Sequence, residues 1–248
     1  MKFFKDTMRN EDGMYCSVID QKITLEVAKF YSEAPFTNYQ GYGNKFILAD
    51  TVKKNVFLND LKNYIGFNKS FIEVGSGTSQ LSLAMAIGTN NLIVAMDPTK
   101  ESLRLGSDFA KKNSISNVIF LNSDLFDNEI EDESFDVVWC SGVLHHTKNS
   151  KEGFEIISRW VKKEGLIIIG VYNKIGRLRT NFRQLIYKML GKSNFAKQII
   201  SLLDPHLRKN LSLEKKLAWF RDQYEHPVER KHSLDEVMSW FGENGISY

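Results

Sequence analysis

The chain has 248 residues, 42% of them apolar, with 33 basic against 30 acidic side chains and a net charge of +3. That supports one α/β core with appendages and is too small a charge to argue by itself for nucleic acid. Cys16 and Cys140, without Cys-x-x-Cys spacing, point to a reducing cytoplasm and no zinc site. Residues 1–6 carry no apolar leader core, and no run approaches the ~18 residues of a membrane span, so a soluble cytoplasmic chain without a transmembrane segment is expected.

In chain order, residues 1–65 read as a lead of helices and loops without repeats. Within it, Phe30, Tyr31, Pro35, Phe36, Asn38 and Tyr39 crowd aromatics around a proline, which suits either a lid over a flat or apolar ligand or packing on the sheet edge. Tyr31 and Tyr39 are candidate substrate contacts. The apolar pair Phe71-Ile72 then leads to Glu73-Val74-Gly75-Ser76-Gly77-Thr78 and a helical Ser79-Gln80-Leu81-Ser82-Leu83-Ala84. This is strand, glycine turn and helix, a geometry that brings backbone close to a nucleotide-like ligand. A carboxylate two residues before the first glycine disfavours a pyrophosphate and favours a cation. Residues 92–97 form a second strand ending in Asp97, 20 residues beyond Gly77, the spacing at which an acid accepts both hydroxyls of a ribose. Further strands are expected at 118–121, 135–140 and 166–171, followed by Ser123-Asp124-Leu125, Ser141-Gly142-Val143-Leu144-His145-His146 and Tyr172-Asn173. Apolar runs alternating with helical segments argue for a parallel sheet covered on both faces.

The order of these acids and glycines resembles the class I S-adenosylmethionine-dependent methyltransferases. The resemblance implies a doubly wound, Rossmann-like, mostly parallel sheet over residues 66–172, with S-adenosylmethionine as cofactor. It places Glu73, Gly75, Ser76, Gly77, Ser79, Asp97, Asp124, Leu125 and Ser141 at the cofactor, Asp124 near the adenine amino group. Ser79 stands where the family's motif usually has its third glycine.

Residues 173–232 read as a helical cap insertion. No acid lies between Glu164 and Asp204, while Lys174, Arg177, Arg179, Arg183, Lys188, Lys192 and Lys197 do. Phe182, Leu185, Ile186, Met189 and Leu190 recur at helical spacing beside them, as a cap over the pocket or a face toward a membrane, an anionic substrate or RNA. His226, Glu229 and His232 are spaced three apart, but Pro227 interrupts a helix, so surface histidines near a loop are expected rather than a metal site, with His226 kept as a substrate contact. Ser233 with Glu236 marks a capping-box helix ending at Gly245, the start of a final segment 233–248. Residues 246–248 read as the start of a strand, so the antiparallel hairpin that closes the family's sheet is expected to be missing. A truncated product, a second copy or a partner covering the exposed edge would account for that.

Methyl transfer from a sulfonium is an in-line displacement that needs mainly positioning, with a base for a weakly acidic nucleophile. His146, His145 and Tyr172 are the catalytic candidates, the histidines alternatively capping or packing under the next helix; Asn173 would help to orient the acceptor. The loop after 140 has neither Asn-Pro-Pro-Tyr nor Pro-Cys, which disfavours DNA. A small-molecule or lipid-like acceptor is expected; an RNA or protein acceptor, a non-catalytic S-adenosylmethionine-binding module and an NAD-dependent dehydrogenase are the alternatives.

Overall fold

The structure, a computed structural model, describes residues 3–4, 9–33, 35, 39, 42–127 and 130–248. Seven strands share one sheet: β1 (Arg9–Glu11), β2 (Met14–Cys16), β3 (Ser70–Val74), β4 (Leu92–Asp97), β5 (Val118–Asn122), β6 (Phe135–Ser141) and β7 (Val161–Gly170), in the spatial order β1-β2-β5-β4-β3-β6-β7. All neighbours are parallel except β1 and β2. Every residue of β3 is buried, and Ile72, Val94 and Val138 are wholly enclosed, as strands covered on both faces must be. Helix α1 (Lys22–Glu33) lies against α5 (Lys100–Lys112), which with α2 (Lys45–Lys54), α3 (Val56–Ile65) and α4 (Gln80–Ala86) packs one face through Leu61, Leu83, Leu103 and Phe109. On the other face, α6 (Ser150–Trp160) packs through Phe154, Ile157 and Trp160, with Trp240 of α10 (Leu234–Glu243) beside them.

The expected shortened sheet is overturned. Among the described residues seven strands are present, and the last two in chain order, β6 and β7, pair in parallel from Val137 with Leu166 to Ser141 with Gly170. The antiparallel hairpin of this sheet is β1–β2, at the opposite edge, in a lead expected to hold only helices and loops. Asp12 and Gly13 both take positive φ, 54° and 79°, the conformation that a two-residue Asp-Gly hairpin turn demands. Strands of three residues are too short to show alternation, which hides them in the sequence. Residues 246–248 form no strand: Ile246 packs on the core and donates its N–H to the Phe241 carbonyl. Beyond β7, the returning chain pairs at Asn173 and His232, the His232 N–H reaching the Tyr172 carbonyl at 2.9 Å.

Between these, α7 (Leu178–Met189), α8 (Asn194–Leu203) and α9 (Leu213–Phe220) surround a small core of their own, Tyr187, Ala196, Ile200, Leu207, Phe220 and Tyr224. The stripe expected on α7 is divided: Ile186 and Leu190 pack on this core, while Phe182, Leu185 and Met189 are exposed. A single π-turn, Arg221–Glu225, follows α9. Ser233 and Glu236 make the capping box that opens α10. Among the described residues no helix is long and apolar enough to cross a membrane.

Candidate active site

A cavity of about 500 Å³ opens at the carboxyl ends of β3, β4, β5 and β6, where the winding of the sheet reverses between β3 and β6. Gly75, Gly77, Asp97, Asp124, Leu125 and Ser141 line one end. Gly75 has φ 69°, and a Cβ there would lie 2.1 Å from Val143 Cγ2, so both conformation and space call for glycine. Ser79 also has positive φ, 64°, and is fully buried with its hydroxyl 3.2 Å from that of Ser76. Close packing of this turn is secured by Gly106 of the neighbouring helix α5, where a Cβ would meet the Thr78 carbonyl oxygen at 2.7 Å. Neither Ser76 nor Ser79 is part of the cavity lining.

Three acids crowd this end. Asp97 accepts the Gly77 N–H at 2.7 Å and the Thr99 N–H at 2.8 Å. Asp124 accepts the Thr24 hydroxyl at 2.5 Å and the Phe126 N–H at 3.1 Å. Glu73 sits behind the turn, off the lining, and accepts both the backbone N–H and the hydroxyl of Ser82. Desolvation raises all three, Glu73 to about 7, despite the hydrogen bonds that oppose it. Among the described residues none of the three forms an ion pair. Buried acids raised in this way fit a ligand that brings positive charge and hydroxyl donors, which are the ammonium, sulfonium and ribose of S-adenosylmethionine. A pyrophosphate would add charge of the wrong sign.

At the other end, Tyr31, His146, Tyr172, Arg177, Trp219, Asp222 and Gln223 close the cavity. Tyr31 donates to Asp222 at 2.7 Å, and the Gln223 amide donates to Asp222 at 2.7 Å and to the Tyr172 hydroxyl at 3.1 Å. The Arg177 guanidinium lies 3.8 Å from the Tyr172 ring centre and binds Gln223 and both oxygens of Glu229, so its charge is matched within the protein. Burial pushes the Tyr172 phenol up to about 12.

Val228 sets two imidazoles. His146 Nδ1 is 2.5 Å from the Val228 carbonyl, which can only accept, so Nδ1 carries the proton and Nε2 keeps its lone pair. The Val228 N–H donates to His226 Nδ1 at 3.2 Å, which puts the His226 proton on Nε2. The two rings stack with centroids 3.6 Å apart. Burial lowers His146 and lowers His226 to about 3, so both are neutral at neutral pH. His145 lies under Tyr172 with neither ring nitrogen hydrogen-bonded, lowered by burial to about 2.

Of the expected substrate contacts, Tyr31 lines the cavity, whereas Tyr39 stacks on Phe109 and donates to the Thr78 carbonyl. Asn173 accepts the N–H groups of Ile175 and Gly176 in a turn. Phe36 and Asn38 lie outside the described residues. His226, Glu229 and His232 do not converge: Glu229 binds Arg177, and His232 bonds Glu236 and Ser150. Nor are they surface groups, since His232 and the Glu229 side chain are nearly enclosed. Thr24, Arg177, Asp222 and Gln223 also line the cavity, although the sequence marks none of them as a site residue; for Asp222 and Gln223 the signal was the polar density of residues 221–225, which fold as a π-turn, a feature frequent at functional sites.

Residues 66–236 match the methyltransferase domain family. The chain is 26% identical over 98 residues to an uncharacterized methyltransferase, YcgJ, of Bacillus subtilis, covering 40% of this chain and 38% of that protein. It is 28% identical over 152 residues to ubiquinone biosynthesis O-methyltransferase of Glaesserella parasuis, covering 58% and 64%. The chain thus spans less than two thirds of the length of these relatives. Magnesium protoporphyrin IX methyltransferase of Synechocystis, solved with bound S-adenosylhomocysteine, superposes with TM-score 0.51 at 14% identity over 93% of this chain and 80% of that one, which shows a shared fold. The chain belongs to the class I S-adenosylmethionine-dependent methyltransferase family.

Proposed function

We propose that this member of the family methylates a hydroxyl of a small, lipid-like acceptor, with His146 as the base. The observation that carries the reading is the tautomer of His146, whose proton is held at Nδ1 by Val228 while a neutral Nε2 remains in a residue lining the cavity. The donor, when bound, supplies an electrophilic methyl carbon whose bond to sulfur breaks as the bond to the acceptor oxygen forms. His146 Nε2 takes the hydroxyl proton, and Tyr172 and Gln223 position the acceptor. Because Glu229 neutralises Arg177, this end has, among the described residues lining it, no free cation for a carboxylate or phosphate, which favours an acceptor without such a group. Residues 173–232 act in this reading as a cap, supplying Arg177, Trp219, Asp222 and Gln223 to exclude water. A panel of phenols, long-chain alcohols, amines, RNA and protein tests it by S-adenosylhomocysteine release. Turnover on hydroxyl compounds, lost in His146→Gln while S-adenosylhomocysteine still binds, is expected. Turnover confined to RNA or protein, or unchanged in the variant, would overturn it.

A further inference from the structure

Helix α7 carries apolar groups on two sides, and among the described residues only one side has a partner. Tyr187 and Ile186 pack on the small core beneath the helix. On the far side, Leu178, Phe182, Leu185 and Met189 are 60%, 65%, 53% and 76% exposed, and Ile175, in the turn before them, is 77% exposed. At about 100° per residue, the four helical positions fall within about 60° of one another and about 170° from Tyr187. Apolar stripes usually face the core; this one faces solvent.

Its flanks are cationic. On the same helical projection, Arg179 lies about 90° to one side of the stripe and Lys188 about 90° to the other. Lys192 follows in the turn that ends the helix. Other cations of this segment are engaged, Lys174 with Glu236, Arg177 with Glu229 and Lys197 with Glu225. Among the described residues, Arg179, Lys188 and Lys192 form no ion pair. The stretch from Glu164 to Asp204 holds seven cations and no acid between its ends, in a chain whose 33 basic and 30 acidic residues are otherwise near balance.

We propose that the outer face of α7 docks on the anionic surface of a lipid bilayer, the helix lying in the interface. Leu178, Phe182, Leu185 and Met189 would enter the acyl boundary, with Arg179 and Lys188 extending sideways to the headgroups. Charge complementarity selects this occupant. A second copy packed stripe to stripe would set its Arg179 and Lys188 against like charges. RNA would need cations along the centre line, which here is apolar throughout. The stripe lies outside the cavity lining, so the inference is independent of the acceptor reading.

Co-sedimentation of the full chain with vesicles tests it, comparing mixed phosphatidylglycerol and phosphatidylcholine with phosphatidylcholine alone at low and high salt. The expected result is binding to the anionic vesicles that weakens with salt. A double variant, Arg179→Gln with Lys188→Gln, should weaken partition about 25-fold, the product of two losses of about fivefold. Phe182→Ser with Met189→Ser should weaken it at any salt. Both variants should bind S-adenosylhomocysteine and melt as the parent does, since these side chains face solvent. No partition into anionic vesicles, or partition indifferent to both double variants, overturns the proposal. So does a dimer in sedimentation velocity that Phe182→Ser dissociates, which would assign the stripe to a second copy.

Discussion

The donor end of the cavity is made from the last residues of adjacent parallel strands and the turns that follow them, whereas the acceptor end draws Tyr31, His146, Tyr172, Arg177 and Gln223 from segments as much as 192 residues apart. The two ends also oppose each other electrostatically. Glu73, raised from 4.5 to about 7, binds protons more tightly folded than unfolded, so its contribution to stability is full below about 4.5 and is lost as pH rises through 7. His145 and His226, lowered from 6.5 to about 2 and about 3, contribute above 6.5 and lose that contribution as pH falls. One end waits for a cation; the other keeps its imidazoles neutral. The pairing suits a reaction in which a positive donor meets a neutral nucleophile.

The largest expected effect separates the ends most sharply. His146→Gln should lower kcat by about 100- to 10,000-fold, the range of a general base, while calorimetry finds the affinity for S-adenosylhomocysteine unchanged. Asp97→Ala should do the reverse, weakening that affinity by roughly 100-fold, since two hydrogen bonds to a charged acceptor are worth about 1.5 kcal/mol or more each. An equal loss of binding in both variants would erase the distinction.

The contrast in legibility has the same origin. Asp97 was readable because its distance from Gly77 is fixed by one strand-turn-helix-strand unit. Gly106 was not, although it meets Thr78 and Ser79, because the approach of α5 to the turn is a tertiary contact with no local pattern. The β1–β2 hairpin had a local signal, Asp12-Gly13, in strands too short to confirm it. At the acceptor end the histidines were visible as chemistry, yet their tautomers depend on Val228, 82 residues beyond His146 and marked by nothing in its own type. Asp222 and Gln223 join the cavity through a π-turn that no periodicity announces.

Smaller effects sharpen the same comparison. Bound positive charge favours ionised Glu73, so S-adenosylhomocysteine affinity should be up to about tenfold weaker at pH 6 than at pH 8. Calorimetry in buffers of different ionisation enthalpy should find more proton release at the lower pH. Glu73→Gln should flatten this dependence. Gly106→Ala forces a Cβ against the Thr78 carbonyl and should lower the melting temperature by a few degrees, a net cost of about 1 kcal/mol after the roughly 1 kcal/mol gain in helix propensity.

The most direct measurement is calorimetric titration of the parent chain, Asp97→Ala and His146→Gln with S-adenosylhomocysteine, with NAD as the control ligand. Micromolar binding to the parent and to His146→Gln, roughly 100-fold weaker binding to Asp97→Ala, and none for NAD are expected. Binding of NAD, or thioether binding indifferent to Asp97, would contradict the assignment of the cavity to a methyl donor.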